Sequence, residues 1–275
     1  MSFKAYVAHT IGSSHEVVKD ESGIERVTNE AFDERFYKSP TRINRRTNNE
    51  YFPAFHYVTK LGSPEPLGLT KWRQDKGHFA DHILDRSSEI GSYVHDCIDR
   101  MIKANSSVMH EDIHRDFGDA KEAHRVKECL LAFMNFIRDE EPIIIASEQM
   151  MCGDDFGFTL DSRMLLKSDS YKKVSVVDWK TSKVANEDHK MQVEVMRRVC
   201  GADKAVVVVL GNSTKKKYTA TVVKSTEKDY LWDRFQSIKD TAYVEMLKRG
   251  SIRPRQDNMP HIFSLKDLTF KRKLQ

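Results

Sequence analysis

The chain has 275 residues and a mass of 31.9 kDa, enough for one large elaborated domain or two small ones at about 150 residues per domain. With 39% hydrophobic and 31% charged residues and only 7 Pro and 12 Gly, it is neither a disordered, a collagen-like nor a low-complexity sequence. Its 45 basic residues against 41 acidic ones leave a net charge of +4, too little to argue for a nucleic-acid partner, so any basic surface has to be local.

The longest aliphatic run, Ala205 to Leu210, is far short of the roughly 18 residues a membrane span needs, and the first residues carry no apolar signal core. A soluble, cytoplasmic protein with no membrane partner is expected. Cys97, Cys129, Cys152 and Cys200 form no CxxC pair, so they read as free thiols in a reducing compartment. No repeat and no Gly/Ser or Pro-rich linker divides the chain.

Residues 1–49 are polar, rich in Arg and Asn, and weakly periodic. A turn cluster at Gly62 to Pro66 precedes Leu69 to Trp72, which opens a short helix with Thr70 near its cap. Ile90, Val94, Ile98, Met101 and Ile102 recur at helical spacing and predict a helix over 88–104. Val126, Leu130, Leu131, Met134 and Ile137 predict a second over 119–139, stopped at Pro142. The period then changes to that of strands at 143–148, 157–166 and 174–180, joined by short turns that imply an antiparallel meander. A helix over 188–199, strands over 205–210 and 218–223, and a helix capped by Ser225 or Thr226 and closed by Gly250 complete the order, before a basic tail. The fold class is therefore α/β, with a mixed, mainly antiparallel sheet flanked by helices and a helical N-terminal region.

Successive strand residues point to opposite faces, so Val174, Val176, Asp178 and Lys180 share one side of their strand. Asp161 lies on the preceding strand, 178 − 161 = 17 positions earlier, a separation suited to a hairpin that pairs the two carboxylates. Close carboxylates repel, and a divalent cation with oxygen ligands, Mg2+ or Mn2+, is the usual means of holding them together. Such an ion polarises a phosphoryl oxygen and acidifies water, while Lys180 positions that water or offsets phosphate charge, which is chemistry for phosphodiester hydrolysis.

The series Glu148, Gly157 to Asp161, Asp178-Trp-Lys180 and Gln192, preceded by Gly91 and His95 in a GxxxH element, resembles the PD-(D/E)xK nuclease superfamily and within it the RecB-like exonuclease branch. The resemblance spans about residues 88–225 and implies a restriction-endonuclease-like core. It implies that His95, Asp161, Asp178 and the backbone carbonyl of Trp179 ligate the metal, with Asp161, Asp178 and Lys180 catalytic. Glu148 and Gln192 take supporting roles. The family's QxxxY departs here to Gln192 to Met196, so the tyrosine is absent. On this reading 1–87 is a region shaping the substrate path, 88–250 the nuclease core and 251–275 a basic tail. The expected activity is Mg2+-dependent DNA exonuclease action on single-stranded or frayed ends, leaving 5′-phosphate and 3′-hydroxyl, in recombination, repair or replication. No iron–sulfur cluster is expected, because the cysteines lack that spacing. No helicase motor is expected in the chain either, so a helicase or recombination partner would be a separate protein. A phage source suits the unfused architecture and would put the enzyme in the host cytoplasm. A structure-specific endonuclease on the same core and a non-catalytic DNA-binding scaffold remain the alternatives.

Plainer readings exist for each residue. A lone DxK triplet is more often a surface ion pair, and a lone His beside Val94 and Ile98 a structural histidine. The runs Arg42 to Arg46, Lys215 to Lys217 and Lys271 to Lys273 read as solvated faces, and Tyr51, Phe52, Phe55 and Tyr57 as core before base-stacking platforms.

Overall fold

The computed structural model describes residues 15–29, 32–104, 106–212 and 214–255. Its first element is a four-stranded antiparallel sheet in sequence order, β1 (His15–Lys19), β2 (Glu25–Asn29), β3 (Glu34–Lys38) and β4 (Tyr51–Pro53). The expected helical N-terminal region is thus corrected: its described part before residue 54 is a sheet. Strands of at most five residues carry too few apolar positions for a period to show, and Val27, Phe36 and Phe52 are buried among polar neighbours. The β1–β2 turn is closed by Asp20, whose carboxylate accepts the Ser22 and Ile24 N–H groups.

Helices α1 (Phe55–Gly62), α2 (Leu67–Lys76), α3 (Ala80–Ala104), α4 (His110–Asp116) and α5 (Ala120–Glu140) follow. α2 starts after Pro66 and not at Thr70, whose hydroxyl instead donates to Glu65 from within the first turn. α3 begins eight residues before the expected start at 88, because its first turns are exposed and carry no apolar stripe. α5 is capped by Asp119, which accepts from the Lys121 and Glu122 N–H groups.

The second sheet has the order β5-β6-β7-β8-β9, built from β5 (Ile143–Cys152), β6 (Gly157–Leu165), β7 (Val174–Lys180), β8 (Lys204–Leu210) and β9 (Tyr218–Val222). The β5-β6-β7 meander is antiparallel as predicted, and α6 (Glu187–Cys200) carries the chain over to a parallel β7–β8 pair. β9 returns antiparallel, and α7 (Ser225–Arg249) closes with Gly250 at φ 66°. The α7 cap position is Lys224, one residue before the expected Ser225, with its N–H donated to Glu227. The fold is α/β, with sheets flanked by helices.

Each face of the second sheet buries its own core. One holds Val94, Ile98, Val126, Phe133, Phe136, Trp179 and Val208 beneath α3 and α5. The other joins Val176, Met191 and Phe235 to Phe36, Tyr37, Phe52, Phe55 and Tyr57, so the N-terminal sheet and α1 share a core with β6 and α7. Phe52, Phe55 and Tyr57 are therefore packing residues. Gly62 is required where α1 crosses α7, since a Cβ there would lie 2.0 Å from the Ile238 carbonyl oxygen.

Candidate metal centre

The site forms where β6 and β7 part. Their ladder runs from Leu165↔Val174 to Ser162↔Val177, and one more step would set Asp161 against Asp178, since 161 + 178 = 162 + 177. The Trp179 N–H leaves the ladder and donates instead to Asp161 Oδ2 at 2.8 Å. Backbone pairing is thereby exchanged for a carboxylate held between strands.

Glu148 joins from β5. It lies between the pairs Ser147↔Ser162 and Gln149↔Leu160 with φ +46°, a left-handed conformation for a non-glycine residue inside a strand. Such geometry costs about 1–3 kcal/mol and concentrates at functional sites. His95, on α3, meets these groups from across the sheet: its Nε2–H donates to the Trp179 carbonyl at 3.0 Å, and Nδ1 is 3.5 Å from Asp161 Oδ2 and 3.9 Å from Glu148 Oε1. Among the described residues, His95, Glu148 and Asp161 bring one ligand atom each within 4.8 Å of one another. Glu148, expected to support the site, is thus part of its inner cluster.

Asp178 is 1% exposed and is paired with Lys180, whose Nζ is 2.8 Å from Oδ2 and 3.0 Å from Oδ1. Only the Oδ1 contact is aligned as a hydrogen bond, which leaves Oδ2 buried in ion contact without a well-aimed donor. Lys180 also donates to Gln192 Oε1 at 3.0 Å, so α6 fixes the ammonium as the sequence anticipates.

Burial works against every charge here, and the neighbours decide the outcome. Burial, reinforced by Asp161, pushes Asp178 up to about 6 against the pull of Lys180. Burial and then Asp161 raise Glu148, with His95 opposing. For Asp161 the burial cost is outweighed by His95 and Lys180, which hold it below the ordinary carboxylate range. For His95 and Lys180 burial is likewise overcome, by Asp161 and Glu148 in the first case and Asp178 and Asp161 in the second, so both sit above their usual values. The Asp161 and Glu148 carboxylates on either side of the His95 Nδ1 thus favour the charged form of its imidazole.

Glu148, Asp161 and His95, with Asp178 near enough to Asp161 to feel its charge, form a mainly hard-oxygen donor set suited to Mg2+ or Mn2+; Asp178 Oδ2 lies 2.8 Å from the Lys180 ammonium but has no aligned donor. The four cysteines are dispersed over α3, α5, β5 and α6.

Residues outside the predicted set also shape the site. Arg125 of α5 donates to the carbonyls of Gly211 and Thr181, fixing the chain just past Lys180. His189, one turn before Gln192 on α6, accepts the Asn186 N–H through Nδ1 at 3.3 Å; burial and the Lys180 charge lower its pKa to about 4. Neither had a motif to announce it, although Asn186 three residues before His189 is a capping pattern. A Cβ at Gly91 would meet only Thr181 Oγ1, at an ordinary 3.5 Å, so packing alone does not require glycine in the GxxxH element. Of the basic runs, Arg42 and Arg45 pair with Asp154, Arg46 with Asp155 and Asp240, Lys216 with Asp139 and Lys217 with Glu128, while 271–273 lie outside the described residues. No helix among the described residues is long and apolar enough to cross a membrane. No protein-family model matches the chain, and no curated protein matches it in sequence.

Proposed function

We propose that this chain is a divalent-metal-dependent nuclease of the PD-(D/E)xK type, acting as an exonuclease on DNA ends. The observation that carries the proposal is the convergence of His95, Glu148 and Asp161 beside an Asp178–Lys180 pair at the point where β6 and β7 separate. The order of strands, with an antiparallel meander followed through a helix by a parallel strand, supports a restriction-endonuclease-like core.

His95, Glu148, Asp161 and Asp178 are the side chains that would hold the ion, with the Trp179 carbonyl adjacent. When bound, Mg2+ or Mn2+ would supply Lewis acidity toward a phosphoryl oxygen and make water a better nucleophile. Lys180, fixed by Asp178 and Gln192, carries a positive charge next to the acids, where it orients water and offsets charge growing on the phosphate. Hydrolysis of the P–O3′ bond would leave 5′-phosphate and 3′-hydroxyl ends.

The test is digestion of 5′-labelled and 3′-labelled single-stranded and duplex DNA with Mg2+ or Mn2+, comparing the native chain with Lys180→Ala and Asp178→Ala. Metal-dependent cleavage lost in both variants is the expected result. Equal inactivity of all three on linear, circular and branched DNA would sink the proposal in favour of a DNA-binding scaffold.

A further inference from the structure

The N-terminal sheet carries two arginines that take no part in the metal centre. β2 and β3 pair with Arg26 opposite Tyr37 and Thr28 opposite Arg35, so Arg26, Arg35 and Tyr37 share one face of that sheet. That face packs on the strand bearing Asp161. Tyr37 lies over Gly157, where a Cβ would come 2.6 Å from its ring, and its hydroxyl shares a 2.9 Å hydrogen bond with Thr159 Oγ1. Thr159 is two residues before Asp161 on the same side of β6, a step of about 7 Å along the strand. The β1–β2 turn is anchored nearby, because Asp20 Oδ2 accepts the N–H of Met150, two residues past Glu148.

Both arginines are half-buried, and the Nε of each is sealed from solvent without an acceptor. Among the described residues neither guanidinium makes a hydrogen bond or an ion pair, and the acid that acts on Arg35, Glu16, is exposed on β1. Burial and the like charge of Arg26 depress the pKa of Arg35. Two part-desolvated guanidiniums on one sheet face, with no ion-pair contact among the described residues and only the more distant charge of Glu16 to offset them, are costly unless an anion completes them. Planar forked donors in this arrangement suit the oxygens of a phosphate.

We propose that Arg26 and Arg35 form a clamp for a phosphate of the nucleic-acid strand that enters the metal centre. The inference rests on the nuclease reading for its ligand. The fold then uses the N-terminal sheet to hold the strand a short distance from the reacting phosphodiester.

The experiment uses the full chain in EDTA, measuring anisotropy of labelled single-stranded oligonucleotides with the native protein, Arg26→Gln, Arg35→Gln and Arg35→Lys. Each Gln variant should bind about ten-fold more weakly, the loss of one charge-assisted hydrogen bond, with a shallower salt dependence. Arg35→Lys should lose less. With metal, KM should rise while kcat holds. Inorganic phosphate should raise the melting temperature of the native chain but not of the double Gln variant, whose ligand-free melting temperature should be no lower, since a like-charge contact has been removed. Equal losses on 5′-phosphorylated and 5′-hydroxyl strands indicate an internal phosphodiester in the clamp; losses confined to the phosphorylated strand indicate a terminal phosphate. Unchanged affinity in the Gln variants, or lower melting temperatures with unchanged KM, would overturn the clamp and leave a structural role. A native chain that cleaves nothing yet shows the phosphate-dependent shift would overturn the nuclease reading and keep the anion site.

Discussion

Gly157→Ala tests how tightly the N-terminal sheet is seated on the strand that supplies Asp161. The new methyl would lie 2.6 Å from Tyr37 Cδ2 and 2.7 Å from its Cβ and Cγ, so the ring has to retreat by about 1 Å to reach ordinary contact. Tyr37 is 2% exposed, paired in its sheet with Arg26 and Phe52, and tied to Thr159 through its hydroxyl, which leaves it little room. Overpacking of this kind costs about 1–3 kcal/mol, and loss of the Tyr37–Thr159 bond adds about 1 kcal/mol. The sum, about 2–4 kcal/mol, corresponds to roughly 5–15 °C in melting temperature for a chain of this size. Urea unfolding of Gly157→Ala, Tyr37→Gly and the double variant measures it. Because Tyr37→Gly removes both the ring and the Cβ that obstruct the methyl, Gly157→Ala should cost little in that background, a coupling of about 2 kcal/mol or more. A loss below about 0.5 kcal/mol in the single variant, or strict additivity in the double, would refute the close approach.

Two further outcomes follow from buried charges. His189 has a folded pKa lowered to about 4, so its stabilising effect is complete above its unfolded value near 6.5 and is lost as pH falls toward 4. The shift is worth about 3 kcal/mol if fully sealed and roughly half that for a part-exposed ring, so the native chain should lose about 1–2 kcal/mol more than His189→Gln on going from about pH 7 to 4.5. Parallel pH profiles of the two proteins by urea unfolding would count against the assignment. Glu194 is fully buried on α6, with Arg197 Nη2 at 2.7 Å and Arg198 Nε at 2.9 Å from its Oε1. Glu194→Ala strips Arg197 of its acid and leaves Arg198 with only the exposed Asp229, and should lower unfolding free energy by about 2–3 kcal/mol; a change under about 1 kcal/mol would show that the arginines rehydrate at little cost.

The second sheet and its helices were legible because long apolar periods and turn chemistry agree there, as in the Val94 and Ile98 stripe or the Val-rich run ending at Leu210. The placing of His95, Asp161, Asp178, Lys180 and Gln192 around one point follows from strand alternation together with a helix crossing on each face. Two things were hidden. The N-terminal strands are short, and their buried polar residues, Asn29 and Glu34, break the alternation that marks a sheet, so a helical region was expected where strands lie. The inner position of Glu148 depends on its left-handed backbone, and no residue type advertises a positive φ at a glutamate. That Arg26 and Arg35 fall diagonally on one face of β2 and β3 is a matter of register, which the sequence of an unrecognised sheet cannot supply.

Calorimetric titration of the metal-free chain with Mn2+, beside Asp161→Asn, tests the metal centre itself. Saturable binding is expected at a site in the native protein and is lost in the variant, because Asp161 is the carboxylate shared by His95 and the Trp179 N–H. No binding by the native chain at millimolar Mn2+, or equal binding by Asp161→Asn, would contradict it.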